Sequence, residues 1–496
     1  MQIDKTMWKL NQNAIQFPAS LMAIALLVGC SEKKSLPISF EPNLVHSMKY
    51  QLQNDLPMNQ AIVDSSWVVE TMFGTPDDPK LPQVILDDEE FASFVSMDNL
   101  QRASGPENAE GRGLYRLLCS SCHGVTGNGR GPDGAAQVPY PRDYRMGVFK
   151  FKSTERGSKP TKSDLAKLIN HGISGTNMTS VQDLLALEKL KRGKEASDWL
   201  PKEITKNDVD ALVDYVIYLS MRGEHERTQV DMGIFEGILE GGDRLINSDF
   251  GNEQAWANRD KRESLSELID TLDAIDEPND QEKARLEDAE RFEEEWEYVE
   301  DYAVDITDAW LNADNEMVDV PDPPADIPVA DSYTEYDALR QGDQAPALSA
   351  SVERGREVFV GKIAACSKCH GEKGLGNGQT TDYDDWTKDW TSRIGIKPEN
   401  TDDLVPLLAR GALRPQNALP RNLTEGIFRG GESSSDLYRR ITQGIEGAPM
   451  PAATLVEGQF EQEDIWHLIN FIRSLQATSH EAEPTKASLT GEVTAI

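Results

Sequence analysis

The sequence predicts a largely helical protein in which two similar segments are separated by an acidic helical segment. One motif, Cys-x-x-Cys-His, occurs at residues 119–123 and again at residues 366–370. Near the end of the first segment, apolar residues recur every three or four positions, which indicates one buried helix face. A similar series in the acidic segment predicts a narrow apolar seam of the coiled-coil type. The two series are Val209, Leu212, Val213, Val216 and Leu219, and Leu286, Ala289, Phe292, Trp296, Val299 and Ala303.

The composition indicates a strongly acidic protein of several domains. The chain of 496 residues is long enough for two or three domains, each with its own core. It contains 50 basic and 85 acidic residues, which gives a formal net charge of −35. Such a surface repels nucleic acid and anionic lipid headgroups, and it attracts basic partners in a salt-dependent way. The simpler interpretation is that the acidity only confers solubility.

The N-terminus has the pattern of an export signal at residues 1–30. Lys5 and Lys9 precede an apolar run that is too short to span a bilayer, and no other segment is apolar enough to do so. The run ends in Leu-Val-Gly before Cys30, which resembles a bacterial lipobox, so we expect Cys30 to begin the mature chain and to carry lipid. The alternative is an ordinary signal peptide in which Cys30 is incidental. Either signal exports the protein.

Each Cys-x-x-Cys-His motif is typical of covalent c-type haem attachment. Two thiols three positions apart can each form a thioether with a haem vinyl group, and the adjacent histidine is then held beneath the iron. A zinc site would bring its two cysteine pairs roughly 12–20 residues apart, and a thioredoxin-like pair needs a βαβ context. Neither alternative fits two motifs in different halves of the chain. The motifs therefore predict two covalently bound haem c groups, with thioethers from Cys119, Cys122, Cys366 and Cys369 and axial iron bonds from His123 and His370.

The internal repeat identifies the second axial ligand of each iron, because the segments around the motifs align. His171 and Met146 are candidates near the first haem, but the second copy has a glutamine and a glutamate at those positions. Only Met178 and Met450 place a ligand-capable side chain at the same position in both copies. A methionine sulfur opposite histidine raises the reduction potential. The alternative is that either methionine only packs in the core.

Two arginines also occupy equivalent positions in the repeat. Arg142 lies in Pro-Arg-Asp and Arg421 in Pro-Arg-Asn. A planar guanidinium can pair with a haem propionate, so both are candidate propionate ligands, and the alternative is an arginine at the surface. His467, in the closing helix of the second copy, is predicted to be a surface or packed imidazole, because the first copy has Ala211 at its position.

The two haem segments resemble class I cytochrome c, present twice and covering about half of the chain. The resemblance implies a small all-helical fold for each domain. The expected fold class is therefore all-α, with two class I cytochrome c domains separated by an acidic helical insert. It also implies that the first and last helices of each domain cross at a glycine–aromatic contact, here Gly111 with Tyr215 and Gly355 with Phe471.

Two features depart from the family pattern. The family often has a Gly-Pro pair whose proline carbonyl orients the proximal histidine. The first copy has Pro132 in such a pair, and the second copy has no equivalent. The interval between histidine and methionine is also longer in the second copy, mostly through residues 378–415. This segment contains Trp386 and is expected to form a lid over the second haem.

The predicted organisation follows these landmarks. Residues 31–104 form an N-terminal extension, which begins as an extended tether as far as about Tyr50, and residues 105–225 form the first cytochrome c domain. Residues 226–345 form the acidic helical insert and a Pro-rich linker, which act as a spacer or, alternatively, as a docking face. Residues 346–478 form the second cytochrome c domain, and residues 479–496 form a disordered tail.

A His/Met haem leaves no position at its iron for a substrate, which favours an electron carrier over an enzyme. We expect single electrons to pass between membrane respiratory complexes, such as quinol-oxidising complexes or terminal oxidases, on the extracytoplasmic side. The lipid on Cys30 would anchor the exported, periplasmic protein at a membrane. The alternatives are a cytochrome subunit of a dehydrogenase or oxidase complex and a dihaem peroxidase. A sensor of gaseous ligands would require a weak or absent methionine bond.

Overall fold

The computed structural model describes residues 38–106, 111–193, 200–262, 264–379 and 381–481. The predicted signal segment, with Cys30, and residues 482–496 of the predicted tail lie outside this part of the chain. Within it the protein is helical, with isolated β-bridges but no strand of a sheet, and the predicted all-α fold class is confirmed. No helix among these residues is long and apolar enough to cross a membrane.

The helices follow one another in two groups. Those of the N-terminal half are α1 (Leu44–Asn54), α2 (Asn59–Phe73), α3 (Gln83–Leu86), α4 (Glu89–Phe94), α5 (Met97–Ala103), α6 (Leu114–Leu118), α7 (Ser120–His123), α8 (Lys162–His171), α9 (Val181–Arg192) and α10 (Lys206–Phe235). Those that follow are α11 (Ser248–Glu253), α12 (Arg259–Arg262), α13 (Ser264–Asp273), α14 (Asp280–Leu311), α15 (Tyr333–Gln341), α16 (Ala345–Val360), α17 (Ser367–His370), α18 (Asp385–Asp389), α19 (Thr401–Leu408), α20 (Ser434–Gln443) and α21 (Asp464–Glu481).

In the first domain the closing helix, α10, packs along α5. The predicted crossing at Gly111 is wrong, because a Cβ there would meet no atom within 4 Å and its φ of 69° places it in a turn. Helix α6, which follows, has only 5 residues. It is too short to act as the crossing helix, and α5 takes that place. The aromatic contact is nevertheless present, since the rings of Tyr115 and Tyr215 lie 5.0 Å apart.

In the second domain α16 and α21 cross where the sequence predicted. A Cβ on Gly355 would lie 2.0 Å from the carbonyl oxygen of His467 and 2.8 Å from the Cβ of Phe471, so only glycine allows this approach. The rings of Phe359 and Phe471 lie 5.1 Å apart, as in the first domain. Nδ1 of His467 lies 2.8 Å from the hydroxyl of Ser351, so this histidine is a packed imidazole.

The N-terminal extension is folded onto the rest of the molecule. The prediction of an extended tether as far as Tyr50 is wrong from Leu44 onward, because α1 begins at that residue. His46 and Met48 of this helix are buried, and Met48 packs with Trp390 of the long segment in the second domain. A helix that buries one face in this way is held by its tertiary contacts.

The acidic insert packs directly on the first domain. Helices α13 and α14 form a hairpin, and α14 contacts α10. The predicted seam is the buried face of α14, apart from the half-buried Leu286, and Phe292 and Trp296 join the core of the first domain. Helix α10 continues without a break to Phe235, so the predicted boundary at residue 225 falls within it.

The buried imidazole of His225 predicts that stability decreases in mild acid. Between α10 and α14, its Nε2 donates to the carbonyl oxygen of Val299 at 2.8 Å, and burial lowers its pKa from 6.5 to about 4. Between these values the unfolded chain binds a proton that the folded chain does not. The free energy of unfolding should therefore fall with decreasing pH, by up to about 1.4 kcal/mol per pH unit for this group.

Denaturant unfolding of the haem-loaded protein at a series of pH values between 7 and 4 measures this slope. The variant His225→Gln should be less stable at neutral pH and should show a slope smaller by about one proton. The matched variant His171→Gln should leave the stability at neutral pH unchanged, because that ring is exposed. An unchanged slope in His225→Gln would contradict the assignment.

Candidate haem-binding sites

Each Cys-x-x-Cys-His motif lies on one helical turn that brings two thiols and an imidazole together. The amide of His123 donates to the carbonyl oxygen of Cys119 at 2.9 Å, and that of His370 donates to Cys366 at 3.0 Å. Burial raises the pKa of the Cys119 thiol to about 12 and that of the Cys366 thiol to about 11. These thiols therefore face apolar surroundings, as thioether bonds to a buried haem require.

The loop after each motif is built in the same way in both domains. The amide of Gly129 donates to the carbonyl oxygen of His123 at 2.9 Å, and that of Gly376 donates to His370 at 2.8 Å. Both glycines have a positive φ, of 72° and 70°. A Cβ on either would lie 2.6 Å from a proline carbonyl oxygen. Glycine at these positions lets the Pro-Arg segment run beside the motif.

A backbone carbonyl fixes the orientation of each proximal histidine. Nδ1 of His123 lies 3.1 Å from the carbonyl oxygen of Arg142, and Nδ1 of His370 lies 3.0 Å from that of Arg421. The prediction that the Pro132 carbonyl takes this role is wrong, and the second domain does have its equivalent contact. A carbonyl can only accept, so Nδ1 carries the proton and Nε2 is free to bind iron. Burial lowers the pKa of His123 to about 4 and lowers that of His370, which keeps both rings neutral.

The predicted methionine ligands end two equivalent glycine loops, residues 172–178 and 444–450, which we call the methionine loops. The amide of Ile173 donates to the carbonyl oxygen of Met178 at 2.7 Å, and that of Ile445 donates to Met450 at 3.0 Å. Both methionines are half-buried. The exposed ring of His171 turns back to its own helix, with Nδ1 2.9 Å from the carbonyl oxygen of Lys167. Iron ligation by the two methionines remains a prediction.

The side chains of the two repeated arginines reach the interface between the domains. The guanidinium of Arg142 lies 3.3 Å from the ring centroid of Trp386, whose Nε1 donates to the carbonyl oxygen of Asp143 at 3.2 Å. A Cβ on Gly447 would lie 2.1 Å from the same indole. Trp386 thus lies between the two domains and also touches the methionine loop of the second, and the lid over the second haem remains a prediction.

Three further residues belong to these sites and are not marked by the motifs. The ring of Tyr144 stacks on that of His123 with centroids 4.8 Å apart. Lys150 and Arg429 lie near the two repeated arginines. Each directly follows a segment that aligns between the two copies, Gly-Val-Phe at residues 147–149 and Gly-Ile-Phe at residues 426–428. Extending the repeat by one residue would have found them.

The residues present fit haem c. Each domain offers two half-buried thiols and a neutral imidazole with a free Nε2, and the buried Nε atoms of Arg421 and Arg429 have no hydrogen-bond partner among the residues that the structure describes. Unpaired buried donors of this kind match the carboxylates of a haem. Among the described residues, no group of three or more His, Cys, Asp or Glu side chains is arranged to hold a metal ion directly.

These sites define a c-type cytochrome. The model of the cytochrome c family matches the chain at residues 108–220 and 352–476. The chain therefore carries two domains of the cytochrome c family, which is consistent with the two class I domains that the sequence predicted.

Comparisons with curated proteins and with solved structures do not indicate a function for the chain. No curated protein matches the chain. A solved structure from the reducing HAO-like protein complex of Kuenenia stuttgartiensis is 18% identical, with coverage of 77% of this chain and 96% of that chain and a TM-score of 0.36. A likeness of this degree carries no argument about function.

The paired methionine loops predict the effect of removing either sulfur. Met178→Ala and Met450→Ala should each leave one iron without its sixth ligand. Each variant should lose about half of the weak red absorption of the Met–ferric bond and bind carbon monoxide at about half of its haem. Optical titration of the purified variants measures both quantities.

The matched control is Met146→Ala, which removes a half-buried thioether from the same domain. This variant should keep the red absorption and remain inert to carbon monoxide. Loss of the absorption in Met146→Ala, or its retention in both loop variants, would show that the axial ligands are wrongly assigned.

Proposed function

We propose that the protein is a dihaem electron carrier that passes single electrons between membrane respiratory complexes on the extracytoplasmic side. The observation that carries this proposal is the contact between the two candidate haem sites. Each arginine whose carbonyl holds a proximal histidine extends its side chain toward the methionine loop of the other domain.

The contacts differ slightly in the two directions. A Cβ on Gly175, in the methionine loop of the first domain, would lie 3.2 Å from Nη2 of Arg421. Gly447 occupies the equivalent position in the second domain, and there Trp386 lies between the loop and Arg142. Two haems held at these sites would therefore be neighbours within one chain, which suits the transfer of an electron from one to the other.

The protein's own residues would bind each haem, orient its proximal histidine and keep substrates away from its iron. When bound, haem c supplies a one-electron redox couple at its iron. The carbonyls of Arg142 and Arg421 keep the proximal imidazoles neutral and oriented. The methionine loops would supply a second ligand to each iron, which would leave no open position for a substrate.

The proposed location and partners depend on charge and on the export signal. A lipid on Cys30 would keep the mature protein beside membrane complexes. The net charge of −35 favours basic docking surfaces on its redox partners, so association should be fast at low ionic strength and should weaken with added salt.

Optical spectroscopy of an exported Cys30→Ser variant tests the function. We expect two haems per chain, both low-spin in the oxidised and reduced states, with no reaction with carbon monoxide and no turnover of hydrogen peroxide. We expect low-spin haems that do not react because each iron would keep two protein ligands.

Three outcomes would contradict the proposed dihaem electron carrier. A high-spin haem that binds carbon monoxide and turns over peroxide would replace the carrier with a peroxidase. A high-spin haem that binds carbon monoxide without peroxide turnover would favour a gas sensor. One haem per chain would remove the relay.

A further inference from the structure

The two cytochrome c domains pack through equivalent surfaces. Phe151 of the first domain meets Gly430 of the second, where a Cβ would lie 2.5 Å from the phenyl ring. Both residues lie two positions beyond the aligned Gly-x-Phe segments, so this position contacts its own counterpart. Lys167 of α8 also pairs at 3.0 Å with Asp436 of α20, the equivalent helix. An approximate two-fold axis therefore passes through the interface and brings equivalent side chains together.

Four cationic side chains gather near this axis. Arg142 and Lys150 come from the first domain, and Arg421 and Arg429 come from the equivalent positions of the second. Burial lowers the pKa of Lys150 to about 8, and Arg142 and Arg429 add like-charge repulsion. Burial also lowers the pKa of Arg429, with repulsion from Arg421. Arg142 and Lys150 both lie over the ring of Trp386, 3.3 Å and 5.5 Å from its centroid, and Arg421 and Arg429 both reach Gly175 of the first domain. The two pairs therefore form one cluster across the interface.

The carboxylates around this cluster stand off from its cations. Asp143, Asp384 and Asp385 lie near Arg142, and the closest carboxylate oxygens are 3.6 Å from Lys150 (on Asp384) and 3.9 Å from Arg421 (on Glu425). Arg429 donates from Nη2 to the carbonyl oxygen of Gly175 at 3.3 Å, while its Nε and that of Arg421 are buried without a partner. This loose pairing of buried cations leaves room for an anion from elsewhere to complete the site.

We propose that Arg142, Lys150, Arg421 and Arg429 form one shared carboxylate site between the domains, which receives the propionates of both haems. This inference rests on the proposed dihaem function and adds Lys150 and Arg429 to the two arginines predicted from the sequence. Each haem carries two propionates, so two haems bring four carboxylates to four cations. The carbonyls of Arg142 and Arg421 already tie this cluster to the proximal histidines.

A shared site has an electrostatic consequence that two separate sites lack. A cation near a haem stabilises the reduced iron, because reduction lowers the charge of the haem by one. If a cation lies between two haems, its removal must change the reduction potentials of both. Lys150 and Arg429 are the useful probes, since neither contacts a predicted iron ligand.

The test is spectroelectrochemical titration of both haems in the full, haem-loaded protein and in Arg429→Gln. We expect each haem of the variant to show an increase of about tenfold in the ferric-to-ferrous ratio at a fixed applied potential, which corresponds to a downward shift of about 59 mV for a one-electron couple. Lys150→Gln should shift the reduction potentials of both haems in the same direction. If the Arg429→Gln protein does not accumulate, Lys150→Gln serves as the test by itself. The conservative variant Arg429→Lys should keep both potentials close to the wild-type values.

Lys167→Gln is the matched control. It also removes a cation from the domain interface, but one that already has a protein carboxylate, Asp436, at 3.0 Å. Both potentials should stay unchanged in this variant. A shift equal to that of Arg429→Gln would show that any weakening of the interface changes the potentials, and would overturn the proposal.

The remaining outcomes distinguish the source of the anion and the extent of sharing. Wild-type potentials should be the same in chloride and in inorganic phosphate at equal ionic strength, whereas a dependence on phosphate would mean that a free anion fills the site. A shift confined to the haem of the second domain would replace the shared site with a local one. A carbon-monoxide-binding haem would overturn the carrier function, while the potential shifts would still report on the propionate site.

Discussion

The hydrogen bond between each proximal histidine and an arginine carbonyl is the contact on which the rest of the structure depends. It sets the tautomer of the imidazole and leaves Nε2 for iron, because the carbonyl oxygen can only accept a proton donor. It also requires the Pro-Arg segment to return beside the motif, and Gly129 and Gly376 make room for that return. The same backbone positions carry the arginine side chains outward to the domain interface. One hydrogen bond per domain therefore links the haem site to the packing of the two halves.

The features that the sequence predicts well are those with a local physical signature. The spacing of two thiols and an imidazole is set by a single helical turn, and the helical seam at Phe292 and Trp296 is set by periodic burial. Gly355 could be placed at a helix crossing because the close approach of two backbones excludes any side chain. The aromatic pairs Tyr115–Tyr215 and Phe359–Phe471 keep nearly the same separation in both domains. Each of these depends on residues close in sequence or on a pattern that the chain repeats.

The predictions that were wrong depend on contacts between distant parts of the chain. Gly111 shares with Gly355 a following arginine and an aromatic residue four positions on, but α5 occupies the place of the crossing helix and leaves Gly111 in a turn. The N-terminal extension forms α1 because it finds an apolar partner in Trp390, far along the chain. Pro132 was expected to orient a histidine because the family often uses a Gly-Pro pair for this contact. The order of residues in the loop does not reveal which backbone carbonyl comes back to the imidazole ring.

Helix α10 belongs to two parts of the molecule at once. Its first turns close the first cytochrome c domain, and its continuation to Phe235 forms part of the surface on which the acidic insert packs. The smallest fragment that can be separated from this protein is therefore larger than a family domain. A cut at residue 220, where the family match ends, would sever a continuous helix and strip α14 from the core that it shares with the haem domain. Fragments for expression or for transfer into another chain should keep residues 38–320 together, so that the amide of Val318 still donates to the carbonyl oxygen of Ser153.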